Sequence, residues 1–258
     1  MTPEDLAEEG WLAQPRLSPG FLACLPLFLF YELALFLGEP GMARNGAESV
    51  LTSALAPLGD LQQPARAGLV AAVAFVAWLR AREHTELVSP RRLLRQAAEG
   101  GLLALVLGPL LLWMLSLFDV PELAWQPLAG RDEAPPLLHA LRLLGAAPWE
   151  ELLFRVGLYG VLYLLARRIA EFLGSGRSLA LPFADVSALL LSSLLFAAFH
   201  LDGIQDLFDR PGDAFEGTVF LWRLLAGLLL AGIYRWRGLG TAAWTHAVFN
   251  LALALGAA

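Results

Sequence analysis

Seven apolar runs, each close to the length of a membrane crossing, constrain this chain more than any other feature. They lie at 21–38, 67–80, 101–118, 151–170, 184–201, 217–233 and 239–257. Roughly 20 residues of helix cross a bilayer's hydrocarbon core. No water is present there to satisfy a free N–H or C=O, so each segment must close its hydrogen bonds within itself, as a helix. The expected fold is therefore all-α, a polytopic membrane protein of about 7–8 transmembrane helices. The shorter stretches 48–59 and 136–147 read as interfacial or half-buried helices, one of which could supply an eighth crossing. Gly108 and Pro109 would mark a kink inside the third run.

Composition agrees with lipid as the solvent. The 258 residues are 57% hydrophobic and 16% charged, with a mean hydropathy of +0.60, too apolar for an ordinary soluble domain. All 18 basic residues are arginine, and the net charge of −6 is spread over loops, so no basic arm points to nucleic acid. The lone Cys24 permits neither an intrachain disulfide nor a thiolate zinc cluster. Glu4, Asp5, Glu8 and Glu9 against Arg16 reverse the basic start of a signal peptide, so the first run is expected to be retained.

Arginine placement gives an orientation. Arg80, Arg82, Arg91, Arg92 and Arg95 crowd one loop, Arg167, Arg168 and Arg177 another, and Arg235 and Arg237 a third. These loops would be cytoplasmic, as would the N-terminus. The loops with Glu122, Asp132 and Glu133, and with Asp202, Asp206, Asp209 and Asp213, would face outward.

Ionisable groups at membrane depth are costly and ask for a partner or a function. Three sets stand out. In PWEELLFR, Pro148 suits the opening residue of a helix, which would put Glu150 and Glu151 in its first turn. Glu151 and Arg155 are spaced to pair on one face, and Glu150 points about 100° away with a free carboxylate. An acidic pair favouring the positive end of a helix dipole explains a bare EE about as well. In FAAFH, Phe196 and His200 share a face at the end of a run; alone, His200 reads as an interfacial histidine. In HAVFN, His246 and Asn250 lie one turn apart well inside the last run, where a pair could merely tie helices together. With the arginine topology, all three sets fall toward one leaflet, whereas independent structural polars would scatter.

The motifs EExxxR at 150–155, FxxxH at 196–200 and HxxxN at 246–250, in that order on separate helices, resemble those of the CPBP (CaaX protease and bacteriocin-processing) family of intramembrane endopeptidases. The resemblance covers about 137–255. It divides the chain by function into residues 1–135, N-terminal transmembrane helices and loops with no resemblance, and 136–258, a helical catalytic core. It implies hydrolysis of a peptide bond within the bilayer, the substrate being a membrane-associated peptide or a prenylated CaaX-like protein. Glu150 would activate a water with help from His200, His246 and Asn250 would stabilise the oxyanion, and Glu151 and Arg155, with Phe196, would support them.

Two histidines and a glutamate (Glu150, His200, His246) also suit zinc, but the chain has no HExxH and asparagine is a poor zinc ligand, so a metal-free mechanism is favoured. The alternatives are a non-catalytic immunity or scaffold protein that keeps the fold, and a bis-histidine haem or transport protein. The expected location is a cell membrane of the bacterial inner-membrane type. Arginine counting puts the site toward the outer leaflet, while a prenylated substrate would arrive from the cytosol. Glu32 could pair with a basic group such as Arg223, or snorkel. His84 and His139 read as ordinary, Trp125, Trp149 and Trp236 as interfacial, and Trp244 and Phe249 as helix packing.

Overall fold

A computed structural model describes residues 17–38, 44–82, 89–118, 136–208 and 212–255. The acidic N-terminus, His84, Glu122, Trp125, Asp132, Glu133 and Asp209 lie outside them. The helices are α1 (Leu17–Leu37), α2 (Gly46–Thr52), α3 (Gln62–Ala81), α4 (Pro90–Ser116), α5 (Pro136–Glu151), α6 (Tyr159–Phe172), α7 (Arg177–Ala198), the short α8 (Asp202–Gln205), α9 (Gly217–Arg237) and α10 (Leu239–Ala254). A 3₁₀ segment, Ser53–Leu61, joins α2 to α3, and a π-helical turn, Leu152–Leu158, joins α5 to α6. Among the described residues the only extended pairing is an isolated bridge, Leu201 with Asp213. The chain is all-α.

Among the described residues, five stretches are long and apolar enough to cross a membrane: Leu17–Leu37, Gly46–Ala81, Pro90–Ser116, Arg177–Ala198 and Gly217–Arg237. The other two expected crossings are helical but built differently. The run at 239–257 is the 16-residue α10. The run at 151–170 is the second half of a helix that starts at Pro136 and continues through the π turn to Phe172. Pro148 therefore lies inside α5 and does not open a helix, and the helix-dipole account of Glu150 and Glu151 falls with it. Trp149 is buried, 3% exposed, with its ring edge-on to Phe28 at 5.0 Å and near Tyr31 at 6.3 Å, not interfacial as expected. Trp236 is exposed.

The centre of the fold is α10, which packs against α4, α5, α1 and α9. It buries Leu239 to Ala243, then Thr245, His246, Ala247 and Phe249, as a helix enclosed on nearly every side must. Glycines let its neighbours approach closely. A Cβ on Gly100 of α4 would fall 2.5 Å from Trp244 Cβ, and one on Gly240 would fall 2.9 Å from Ala23 Cβ in α1. This is the small-residue packing of helices that have no water to expel. Between α9 and α10, Gly238 has φ 91°, left-handed backbone that lets one helix follow the other without a loop.

Ion pairs gather the arginine-rich ends on one side. Arg237 at the end of α9 bonds Glu99 in α4. Arg235 pairs with Asp185 in α7 at 2.7 Å, and Tyr159 donates to the same carboxylate. Glu32 does not meet Arg223. It pairs at 2.6 Å with Arg66, whose fully buried guanidinium also holds Glu48 at 2.8 Å; the fold-back of α2 and α3 on α1 supplies the nearer partner. Arg223 pairs instead with Asp213.

Candidate active site

The end of the bundle away from those arginines holds the three polar sets. Glu150 and Glu151 lie at the end of α5. Pro148 has no N–H to give the carbonyl of Leu144, and four residues later the backbone opens into the π turn, where the N–H of Tyr159 bonds the carbonyl of Phe154, five residues back. Arg155 lies on this wider turn. Such π turns inside α-helices are frequent at functional sites.

Arg155 and Glu151 are both fully buried, with Arg155 Nε 3.3 Å from Glu151 Oε2. The guanidinium also lies over the ring of Phe196, 5.2 Å from its centroid. Glu151 Oε1 faces His246 Nδ1 at 2.9 Å. A carboxylate only accepts, so Nδ1 carries the proton and Nε2 is turned the other way. There it meets Glu150 Oε2 at 3.6 Å. The imidazole of His246 thus sits between two carboxylates from consecutive residues, and the 100° between them is what aims one at each ring nitrogen.

His200 closes the far side. Its Nδ1 lies 2.9 Å from the carbonyl oxygen of Phe196, one turn back. A carbonyl cannot donate, so Nδ1 holds the hydrogen and Nε2 of the neutral ring is an acceptor. The backbone there is clasped by Asp213 N–H to His200 O and Asp202 N–H to Asp213 O, both at 2.9 Å. Phe154 packs edge-on against Phe196 at 5.2 Å and Phe199 at 5.3 Å, fixing the end of α7 against the π turn.

Two cavities meet at these groups. One, about 320 Å³, has Arg44, Asn45, Arg142 and Gln205 in its wall. The other, about 210 Å³, is walled mainly by apolar side chains, Trp222, Ala226, Leu230, Phe249 and Leu253 among them. Glu150, His200 and Asn250 line both; His246 lines the apolar one. Glu150, His200, His246 and Asn250 are therefore brought to one place, while Glu151 and Arg155 stand behind His246 and Phe196 lines the apolar cavity beside it. Phe249, expected only to pack helices, also stacks on Trp222 and lines the apolar cavity. Trp244 packs as expected, its indole N–H bonded to Ala23 O at 2.8 Å.

Among the described residues no three His, Cys, Asp or Glu side chains are gathered to hold a metal. Each histidine spends Nδ1 on a hydrogen bond, His246 to Glu151 and His200 to Phe196 O, and keeps Nε2, a pattern that metal-binding histidines share.

Sequence reasoning missed Asn45. Its Nδ2 donates to Glu150 Oε1 at 2.8 Å across 105 residues of sequence. The pattern NGAE, an amide followed three residues later by Glu48, carries the signature of a helix start, but nothing local ties it to Glu150. Arg66 between Glu32 and Glu48 was missed likewise.

A family model described as Rce1-like, type II CAAX prenyl endopeptidase, matches residues 133–252. No curated protein and no solved structure gives a significant match to the chain. The matched range contains all three motifs and stops short of Asn45.

Proposed function

We propose that this chain, whose residues 133–252 match the model of the Rce1-like family of type II CAAX prenyl endopeptidases, cleaves a peptide bond within the bilayer by a water that Glu150 activates. One observation carries the reading: the Glu150 carboxylate stands 3.6 Å from His246 Nε2, at the border of two cavities that it shares with His200 and Asn250. A water there gives its proton to Glu150 as its oxygen bonds the scissile carbonyl carbon, with His200 Nε2 accepting the second O–H and orienting it. The carbonyl oxygen takes up the electron pair and is met by donors on one turn of α10, His246 Nε2–H and an Asn250 amide hydrogen. When the C–N bond breaks, Glu150 returns the proton to the leaving nitrogen.

Donation from Nε2 requires His246 as the imidazolium, since Nδ1–H is already given to Glu151. Its neighbours suit that state: Glu150, Glu151, Arg155 and a protonated His246 sum to zero charge, the only balance a site this buried tolerates well. We further propose that no metal takes part. The substrate would be a membrane-associated peptide or a prenylated CaaX-like tail, its lipid or apolar side chain in the apolar cavity and its polar end toward Arg44 and Arg142. The protein would lie in a bacterial inner membrane with its arginine-rich ends and N-terminus in the cytoplasm.

The test is cleavage of quenched peptides, prenylated and not, by detergent-solubilised protein, comparing wild type with Glu150→Ala and His246→Ala, each with and without chelator. Cleavage lost in both variants and indifferent to chelator is the expected result. Loss with chelator would restore zinc, and cleavage that survives both substitutions would remove the site.

A further inference from the structure

We propose that Asn45, from the part of the chain outside the family match, is a positioning residue for the Glu150 carboxylate, holding one oxygen so that the other faces the reacting water. The role rests on the endopeptidase reading; the contact does not. Asn45 is fixed by its surroundings before it meets Glu150. It is the N-cap of α2, its backbone extended (φ −66°, ψ 140°), with Oδ1 accepting from Ala47 N and Glu48 N. Its own N–H donates to the Tyr31 hydroxyl of α1 at 2.7 Å. Because Oδ1 is spent on the cap, the amide cannot flip, and the group presented to Glu150 is necessarily the Nδ2 donor.

That donor occupies Glu150 Oε1 and leaves Oε2 on the His246 side, where the attacking water belongs. A neutral amide has no proton to transfer, so it orients the carboxylate without competing for the chemistry. The setting is rigid. Glu48, one turn into α2, is held by buried Arg66, which is tied in turn to Glu32 of α1. Gly46 lies so close to the Phe199 ring that a Cβ there would fall 3.0 Å from it. The N-terminal segment thus reaches the Glu150 carboxylate through a fixed side chain.

Asn45→Asp and Asn45→Ser separate this role from capping alone, because aspartate and serine both cap well. Aspartate would set a like charge against Glu150, and serine is too short to reach it. The expected result is that both variants fold and keep the wild-type KM, Ser melting a few degrees below wild type and Asp lower still, while kcat falls roughly 10- to 100-fold, and furthest for Asp, as loss of a hydrogen bond to a charged group predicts. In parallel, the infrared carboxylate band of Glu150, isolated by difference against the same variant carrying Glu150→Gln, is expected to move in both. Wild-type kcat with an unmoved band would overturn the proposal and leave Asn45 a cap. A moved band with normal kcat would overturn the positioning role. If wild type cleaves nothing, an unmoved band sinks the contact, and a moved band keeps the contact while the endopeptidase reading falls.

Discussion

Glu151→Gln isolates the buried charge behind His246. Gln has the shape of Glu, and its amide oxygen can still accept the His246 Nδ1–H, so the perturbation is loss of one negative charge. Arg155 is fully buried, and its carboxylate partner is Glu151 at 3.3 Å; the Phe196 face at 5.2 Å offers only a cation–π contact. Breaking a buried pair from one side costs about 3–5 kcal/mol, mostly from the charge left behind. At about 2–4 °C per kcal/mol for a chain of this size, the melting temperature should fall by roughly 6–20 °C. Glu151→Gln with Arg155→Met removes both charges, and most of that loss should return. Cleavage should not return with it, because His246 then has no anion behind it and donates poorly; loss of one oxyanion donor costs about 10²–10³ in kcat. Thermal unfolding followed by intrinsic fluorescence in detergent, with kcat on the same samples, reads both effects. A single variant that melts within about 2 °C of wild type, less than 1 kcal/mol by the same conversion, would refute the pair as a stabilising buried charge. A double variant with full activity would refute the role of Glu151 behind His246.

Gly100→Ala forces a methyl group to within 2.5 Å of Trp244 Cβ and 2.9 Å of Thr241 O; overpacking of this kind costs about 1–3 kcal/mol, a fall of roughly 2–12 °C in melting temperature. Gly101→Ala, which meets nothing within 4 Å, should leave stability unchanged or slightly raised, and the paired melts check both. Ser178→Cys and Asp206→Cys, in a Cys24→Ala background, test orientation. A membrane-impermeant maleimide on intact cells should label position 206 and spare 178, and the reverse pattern would put the arginine-rich ends outside.

The fold class was legible because lipid leaves the backbone few options. The paths of individual helices were less so. PWEE looks like a helix start, yet α5 runs through Pro148 because tertiary packing holds it on both sides. Gly145 lies against Tyr31 so closely that a Cβ would fall 2.4 Å from Tyr31 Cβ, and Trp149 fits between Phe28 and Tyr31. Local signals could not weigh that packing. The spacing of EExxxR did predict the Glu151–Arg155 pair, and one turn of α10 does carry His246 and Asn250. What spacing could not show was His246 placed between the two glutamates, a relation between α5 and α10. Nor could charge alone choose Arg66 over Arg223 as the partner of Glu32, since only the return of α2 and α3 along α1 decides it.

The geometry of the site also explains why a family match confined to residues 133–252 does not bound the working unit. His246 and Asn250 can be no better placed than α10, and α10 is set by helices from the first half of the chain. Gly20 of α1 lies against Gly240, where a Cβ would fall 3.0 Å from the Gly240 nitrogen, and Gly100 of α4 lies against Thr241 and Trp244. Groups that hold a water and an oxyanion, as we propose these do, need such rigid supports, to within about 0.5 Å. On the opposite side, Asn45 delivers the same constraint to Glu150 by a hydrogen bond. The N-terminal helices therefore fix both partners of the 3.6 Å Glu150–His246 approach, one by packing and one by a donor, and changes in them should reach kcat without touching any of the three motifs.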